Sequence, residues 1–212
     1  MGRIAGIVVA ASGGRRIGGP EALLRRGETL LVDEVIEIAA EVGCAPLVVV
    51  LGAAANQVKA AATLRGATVV VDKAWGTGLG SSLRVGLESL TEVASQAALT
   101  GVAPEAALVL TVDMPGVTVE AARRVALLPH AGALVCATYD GLRSYPMLLG
   151  RRHWPGIATL AKSDVGARPY LLAHKNEIVD IACDAVADGN RVDTPALVAS
   201  FGLTVPTQRP GT

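Results

Sequence analysis

The sequence predicts a single α/β domain, a Rossmann-like three-layer sandwich around a mostly parallel sheet. Three observations predict it. Short runs of Val, Ile, Leu and Ala alternate along the chain with longer segments whose apolar residues recur at helical spacing, and such alternation builds βαβ units. The short runs are apolar at nearly every position, as strands buried on both faces must be. The composition is even along all 212 residues, with no internal repeat, low-complexity stretch or linker. That length suits one large domain, able to bury roughly 70% of the surface its unfolded chain would expose. The domain is placed at residues 1–202 and a tail at 203–212.

Taken in order, Ile4 to Ala11 is a β-branched, apolar run and reads as a central strand, followed by a Gly/Arg loop from Ser12 to Gly19. Leu30 to Val42 has helical spacing, and Gly43 stands where a C-terminal cap belongs. Leu47 to Leu51 is a second buried strand, Ala53 to Leu64 a second helix, and Thr68 to Val71 a third strand running into Asp72 and the loop Lys73 to Gly80. Ser81 or Ser82 caps a helix that reaches about Val93, and Ala94 to Pro104 is a connection. Leu108 to Thr111 is a strand that ends at Asp113-Met114-Pro115, and Thr118 caps a helix to about Leu128. Leu134 to Thr138 is a strand and Pro146 to Leu149 a short one. Arg151 to Ala161 and Ala167 to His174 are helical, Ile178 to Cys183 is strand-like, and Thr194 to Phe201 is helical.

Composition removes several classes of function. Lys plus Arg equals Asp plus Glu at 19 each, whereas domains that bind nucleic acid carry a basic excess. The run Ile4 to Ala11 is too short to span a membrane, and no targeting segment is recognised, so the expectation is a cytoplasmic protein with neither membrane nor nucleic-acid partner. Self-association is left open. Cys44, Cys136 and Cys183 are odd in number, far apart and without C-x-x-C spacing, and read as reduced packing residues. His130, His153 and His174 have no metal-ligand spacing and read as surface or helix-end residues.

Ligands of parallel sheets lie at the carboxyl ends of the strands, and three loops there are chemically loaded. In the first, Ala10-Ala11-Ser12-Gly13-Gly14-Arg15-Arg16-Ile17-Gly18-Gly19-Pro20-Glu21-Ala22-Leu23-Leu24, the glycines let backbone N–H groups approach a phosphate while the arginines add charge. An ordinary glycine turn with solvated arginines is the plainer alternative. It is neither G-x-G-x-x-G entering a helix at once nor a Walker A loop, which needs G-K-[ST]. The second is Asp113-Met114-Pro115, whose aspartate is either a Mg²⁺ ligand or the acceptor in a turn before proline. The third, Asp72 to Ser82, contains Trp75-Gly76-Thr77-Gly78-Leu79-Gly80-Ser81-Ser82, and is either an anion-attracting helix start or a capped helix after a loose loop. Farther on, Asp193 is either a second metal ligand or a cap, with Thr194 capping before Pro195 the other choice. The site assembled from these segments comprises Ala10, Ala11, Ser12, Gly13, Gly14, Arg15, Arg16, Gly18, Glu21, Asp72, Gly80, Ser81 and Ser82 around the nucleotide, with Asp113 and Asp193 for metal.

Several stretches together resemble the molybdenum-cofactor cytidylyl- and guanylyltransferases. They are Ala10, Ala11, Gly13, Arg16, Pro20, Leu23 and Leu24; Gly80 to Leu83; Asp113-Met114-Pro115; Asp164 to Arg168; and Asp193-Thr194-Pro195. The likeness runs in order over nearly the whole chain and implies the nucleotidyltransferase type of α/β fold. Three positions depart from it. Glu21 stands where the family has a lysine expected on the nucleotide phosphates, Tyr145 in Ser144-Tyr145-Pro146 replaces a histidine, and Arg191 replaces the first aspartate of D-x-D-T-P. At about 4 Å each lost attraction or gained repulsion is on the order of 1 kcal/mol in water and about 4 at a protein surface. Arg15, Arg16, Arg25 and Arg26 are the nearby cations that could compensate.

A narrower resemblance links Val112 to Val117, Ala137 to Gly141, Gly150 to Gly156 and Gly166 to Leu171 to the nicotine blue oxidoreductase branch of the same superfamily. It implies reduction of a quinone-like pigment by NADH or NADPH, with FMN, and a cofactor that carries the redox chemistry. On this reading Trp75 walls the pocket and offers a stacking surface. The alternative the resemblance carries is Mg²⁺-dependent transfer from CTP or GTP to molybdopterin, with Asp113 and Asp193 on the metal. A third is a non-catalytic cofactor carrier.

Overall fold

The computed structural model describes residues 4–98 and 103–205. A sheet of seven strands runs through it: β1 (Ile4–Ala10), β4 (Leu47–Leu51), β5 (Thr68–Val71), β6 (Ala106–Thr111), β7 (Leu134–Tyr139), β8 (Leu142–Gly150) and β9 (Val179–Ala182). Their spatial order is β5-β4-β1-β6-β8-β7-β9. All neighbours pair in parallel except those of β8, which is antiparallel to both β6 and β7 and so alone runs against the rest. A separate two-stranded ribbon, β2 (Arg25–Arg26) and β3 (Thr29–Leu30), lies beyond the first loop.

β4 and β6 are buried at every position, which is why they read as unbroken apolar runs. Helices cover both faces. α1 (Leu31–Glu41) and α4 (Val119–Val125) pack together on one side, and α3 (Leu79–Ala98) packs with α5 (Trp154–Leu160) on the other. α1 buries Leu31, Val32, Val35, Ile36 and Ala39, a single stripe. Gly43, at φ 88°, lets the Cys44 N–H turn back to the Ala39 carbonyl and end the helix. α3 buries Leu83, Leu87, Leu90 and Ala94, each side chain contributing roughly 1–3 kcal/mol. α2 (Ala55–Ala61), α6 (Arg168–Ala173) and α7 (Pro195–Ser200) are short. Among the described residues no helix is long and apolar enough to cross a membrane.

Several boundaries differ from expectation. α2 is shorter than Ala53 to Leu64, because Ala54 is left-handed (φ 51°) and Ala62 extended. α3 starts at Leu79, three or four residues earlier than a Ser81 or Ser82 cap implies, and runs past Val93 to Ala98, so Ser81 and Ser82 sit inside its first turn and do not cap it. Part of the expected connection from Ala94 to Pro104, residues 99–102, falls outside the described residues. α4 stops at Val125, short of Leu128. β8 spans nine residues where four were expected. The ribbon β2–β3 was not foreseen. Of the expected tail, Leu203 is buried and Thr204 exchanges two backbone hydrogen bonds with Arg25, at 2.8 and 3.0 Å. Residues 206–212 lie outside the described residues.

The chain leaves β1 for β4 on one side and later returns to β6 on the other. Such a reversal opens a crevice at the carboxyl ends of the strands, and there the chemistry-bearing loops meet. A small second core of Ile17, Leu24, Leu31, Val192, Val198 and Leu203 ties the first loop to α7 and the chain after it.

Candidate functional site

A cavity of about 560 Å³ lies at the carboxyl ends of β1 and β6, within the size range of small-molecule sites. Its first wall is the loop after β1. Gly14 is left-handed (φ 55°), and its carbonyl accepts from the N–H groups of Ile17 (3.0 Å) and Gly19 (3.2 Å). A Cβ on Gly14 would lie 1.7 Å from the Gly19 oxygen, so only glycine closes the loop this way. The second wall is Trp75. A Cβ on Gly13 would stand 3.1 Å from its ring, which shows how closely the indole leans on the loop.

Of the residues expected around a nucleotide, Ala11, Ser12, Gly13, Gly14, Arg15, Arg16, Glu21 and Ser82 line the cavity; both expected metal ligands, Asp113 and Asp193, do too. Ala10, Gly18, Asp72, Gly80 and Ser81 do not. Ala10 is buried in β1, and Gly18 turns at the exposed outside of the loop (φ 86°). Asp72 is 2% exposed and its carboxylate is already occupied. Oδ1 accepts from the Ala74 N–H (2.8 Å) and the Ser81 hydroxyl (3.0 Å), and Oδ2 accepts from the Ser82 hydroxyl (2.9 Å). These three residues therefore fasten the Trp75 loop to the start of α3. Gly80 is a packing glycine, since a Cβ there would meet the Lys162 backbone at 2.5 Å. Arg25 and Arg26 are also away from the cavity: Arg25 bonds the Glu28 carbonyl, and Arg26 pairs with Glu34 at 3.1 Å.

The cavity wall also includes Thr111, Asp164 and Arg191, which were not counted in the site. Asp164 comes close because the Gly78 backbone, at φ 115°, passes against it; a Cβ at Gly78 would stand 2.4 Å from its Oδ1. Arg191 comes from the segment before α7. Its Nε donates to Asp113 Oδ2 at 2.8 Å, and its Nη2 donates to the same oxygen. The Val192 N–H donates to the Asp113 carbonyl at 2.8 Å, which fixes the two strands of chain side by side. Burial alone would lower the Arg191 pKa, but the Asp113 charge and its hydrogen bonds outweigh this and hold it above its ordinary value.

The two expected metal ligands are thus each covered by an arginine. Asp113 is held by Arg191, and Asp193 is paired with Arg16 at 2.9 Å. Asp193 is not a cap either. Thr194 fills that role, accepting from the Leu197 N–H at 3.3 Å with Pro195 next. Among the described residues no group of three Asp, Glu, His or Cys stands close enough to hold a metal ion. As arranged, one oxygen of each expected ligand is taken by an arginine, and no third carboxylate, imidazole or thiolate among the described residues stands with them to complete a divalent-cation site.

Glu21 is 6% exposed. Its Oε1 accepts from the Ser12 hydroxyl at 3.1 Å, while Oε2 has no partner. Burial, and then the nearby Asp113 charge against the pull of its backbone bond, pushes its carboxyl above the ordinary range. Asp113 Oδ1 and Thr111 Oγ1 are likewise buried without partners. Among the described residues these three are the only such side-chain oxygens, and all line this cavity. A buried unpaired acceptor costs about 1–3 kcal/mol, so a ligand group or water that hydrogen-bonds these oxygens is favoured in the cavity.

The other expected residues stand elsewhere. His130 is exposed, but His153 is buried, bonded to the Tyr170 hydroxyl (2.9 Å) and the Gly132 carbonyl (3.1 Å). His174 stacks on Tyr170. Cys44, Cys136 and Cys183 are free and buried, as expected.

Residues 6–178 match the family described as MobA-like NTP transferase domain. The nicotine blue oxidoreductase of Paenarthrobacter nicotinovorans is 35% identical over 201 residues, covering 90% of this chain and 92% of that protein. Among solved structures, Rv0371c from Mycobacterium tuberculosis H37Rv superposes with a TM-score of 0.74 at 25% identity, over 94% of this chain and 97% of its own. The same protein complexed with manganese gives a TM-score of 0.62 at 25% identity, over 85% and 88%. A nucleotidyl transferase from Methanothermobacter thermautotroptrophicus shares the fold with a TM-score of 0.74 at 16% identity, over 94% and 97%.

Proposed function

The chain belongs to the MobA-like NTP transferase family, and from that premise we propose that it uses the family's nucleotide pocket for reduction of a quinone-like substrate by NADH or NADPH. The observation that carries this reading is the Arg191–Asp113 pair, which covers the carboxylate that a metal-bound triphosphate would need. The charge of the cavity agrees. Arg15, Arg16 and Arg191 face Glu21, Asp113, Asp164 and Asp193, a near balance that opposes a triphosphate more than it opposes a monophosphate or diphosphate. The relative 35% identical over most of both chains is named for an oxidoreductase of a blue pigment.

On this reading the Gly13-Gly14 backbone and Arg15 bind a cofactor phosphate. Trp75 bounds the pocket on one side and keeps flat rings in line. Thr111 and Asp113 take hydrogen bonds from ligand hydroxyl or N–H groups. When bound, the nicotinamide supplies a hydride, directly or by way of FMN, and a proton completes the reduction. Glu21 is placed to deliver that proton, since it lines the cavity and its surroundings favour the protonated carboxyl. The test is anaerobic mixing of purified protein with NADH or NADPH, a quinone acceptor and FMN. The expected result is loss of reduced-nicotinamide absorbance that depends on protein and acceptor, and slows when Glu21 is changed to Gln. No oxidation with any acceptor, together with turnover of Mg-CTP or Mg-GTP, would overturn the reading in favour of nucleotidyl transfer.

A further inference from the structure

We propose that Arg191 stands on Asp113 in the place of a divalent cation, so that this pocket binds the phosphate of its ligand with a guanidinium and without metal. The phosphate half of the proposal rests on the nucleotide reading above; the cation half does not. Asp113 lies at the end of β6 with its side chain 15% exposed, and a carboxylate that shielded needs a counter-charge. Two of the five N–H donors of Arg191 meet it on one oxygen. The remaining donors belong to a side chain that lines the cavity and is 53% exposed, so a ligand can reach them.

The arginine is built in at its root. Its neighbour Val192 is fully buried in the small second core, and the Val192 N–H is fixed to the Asp113 carbonyl. Its backbone is thus held against the very strand end whose carboxylate it neutralises. The second expected ligand, Asp193, is paired with Arg16 through one contact at 2.9 Å, in a more exposed setting. A cation entering here would reach Asp113 only at Oδ1, beside the guanidinium that already neutralises it. A guanidinium supplies a positive charge and a forked set of donors that match phosphate oxygens.

Two measurements decide it. Mn²⁺ binding to the protein alone is titrated by electron paramagnetic resonance, for the wild type and for Arg191→Asp. The variant is expected to bind Mn²⁺ at least about tenfold more tightly than the wild type, with the gain abolished by adding Asp113→Asn. Equilibrium dialysis with FMN, NADPH and CTP then compares EDTA with Mg²⁺. Wild-type affinity for whichever probe binds should be the same in both, and Arg191→Ala should weaken it roughly tenfold in EDTA. Tight Mn²⁺ binding by the wild type that Asp113→Asn removes overturns the proposal, and needs no folded Arg191 variant. So does probe binding that requires Mg²⁺. If no probe binds the wild type, the nucleotide reading and the phosphate half fall together, while the Mn²⁺ titration still decides the place of the cation.

Discussion

A carboxyl that is 6% exposed, with one oxygen on Ser12 and the other unpartnered, is better off protonated than charged. Glu21 therefore works against the fold at neutral pH. Its folded pKa lies above the ordinary 4.5, first through burial. The stability it contributes is fully present below that ordinary value and is lost as pH rises through the folded one. Glu21→Gln should raise stability at pH 7 by on the order of 1 kcal/mol and leave it unchanged in acid; denaturant titrations across pH will show whether the gain disappears on the acid side. Glu21→Lys, which restores the family residue, should pair with Asp113 and raise CTP affinity by about tenfold, read by dialysis in EDTA. A drop in affinity would mean the position does not face the phosphates. Glu21 and Arg191 were legible in the sequence as departures from a motif. Their meeting around Asp113 was not, because Arg191 and Asp113 are 78 residues apart and no local periodicity pairs them.

Elements gave up their identity more readily than their ends. The buried strands declared themselves because apolar runs between turn residues have few other uses. The ends of α2 and α3 were set by single backbone choices and by side chains from elsewhere. Ser81 and Ser82 have the chemistry of caps, but both hydroxyls donate to the Asp72 carboxylate. Asp72→Ala should therefore cost about 1–3 kcal/mol of stability and also weaken ligand binding, although Asp72 touches no ligand. A calorimetric scan and a binding titration on the same variant test both; unchanged binding would show that the Trp75 loop does not need this anchor. The β7–β8 hairpin had a signal that went unused. Asp140-Gly141 takes positive φ at both residues (49° and 75°), the Asp-Gly signature of a two-residue hairpin turn. Pro146 stands at the irregularity of this hairpin, between Ser144 and Met147, the residues paired on either side of the β7–β8 register shift.

At the scale of the whole molecule, all three thiols are buried, and burial pushes those of Cys44 and Cys136 up to about 12. A thiol reagent should then react no faster than the protein unfolds, and a fast phase in the native state would show that one of them is reachable. The sequence by itself determined the α/β class, the mostly parallel sheet and the three loops at the carboxyl ends of its strands, because apolar periodicity and glycine are local properties written in consecutive residues. Only the tertiary structure decided which of those loop residues face the cavity. It sent Asp72, Gly80 and Ser81 to hold the frame, brought Thr111, Asp164 and Arg191 into the wall, and placed an arginine on each expected metal ligand. The reason is physical. A buried charge takes the nearest opposite charge in space, and which one is nearest is fixed by how strands far apart in the chain come to lie side by side.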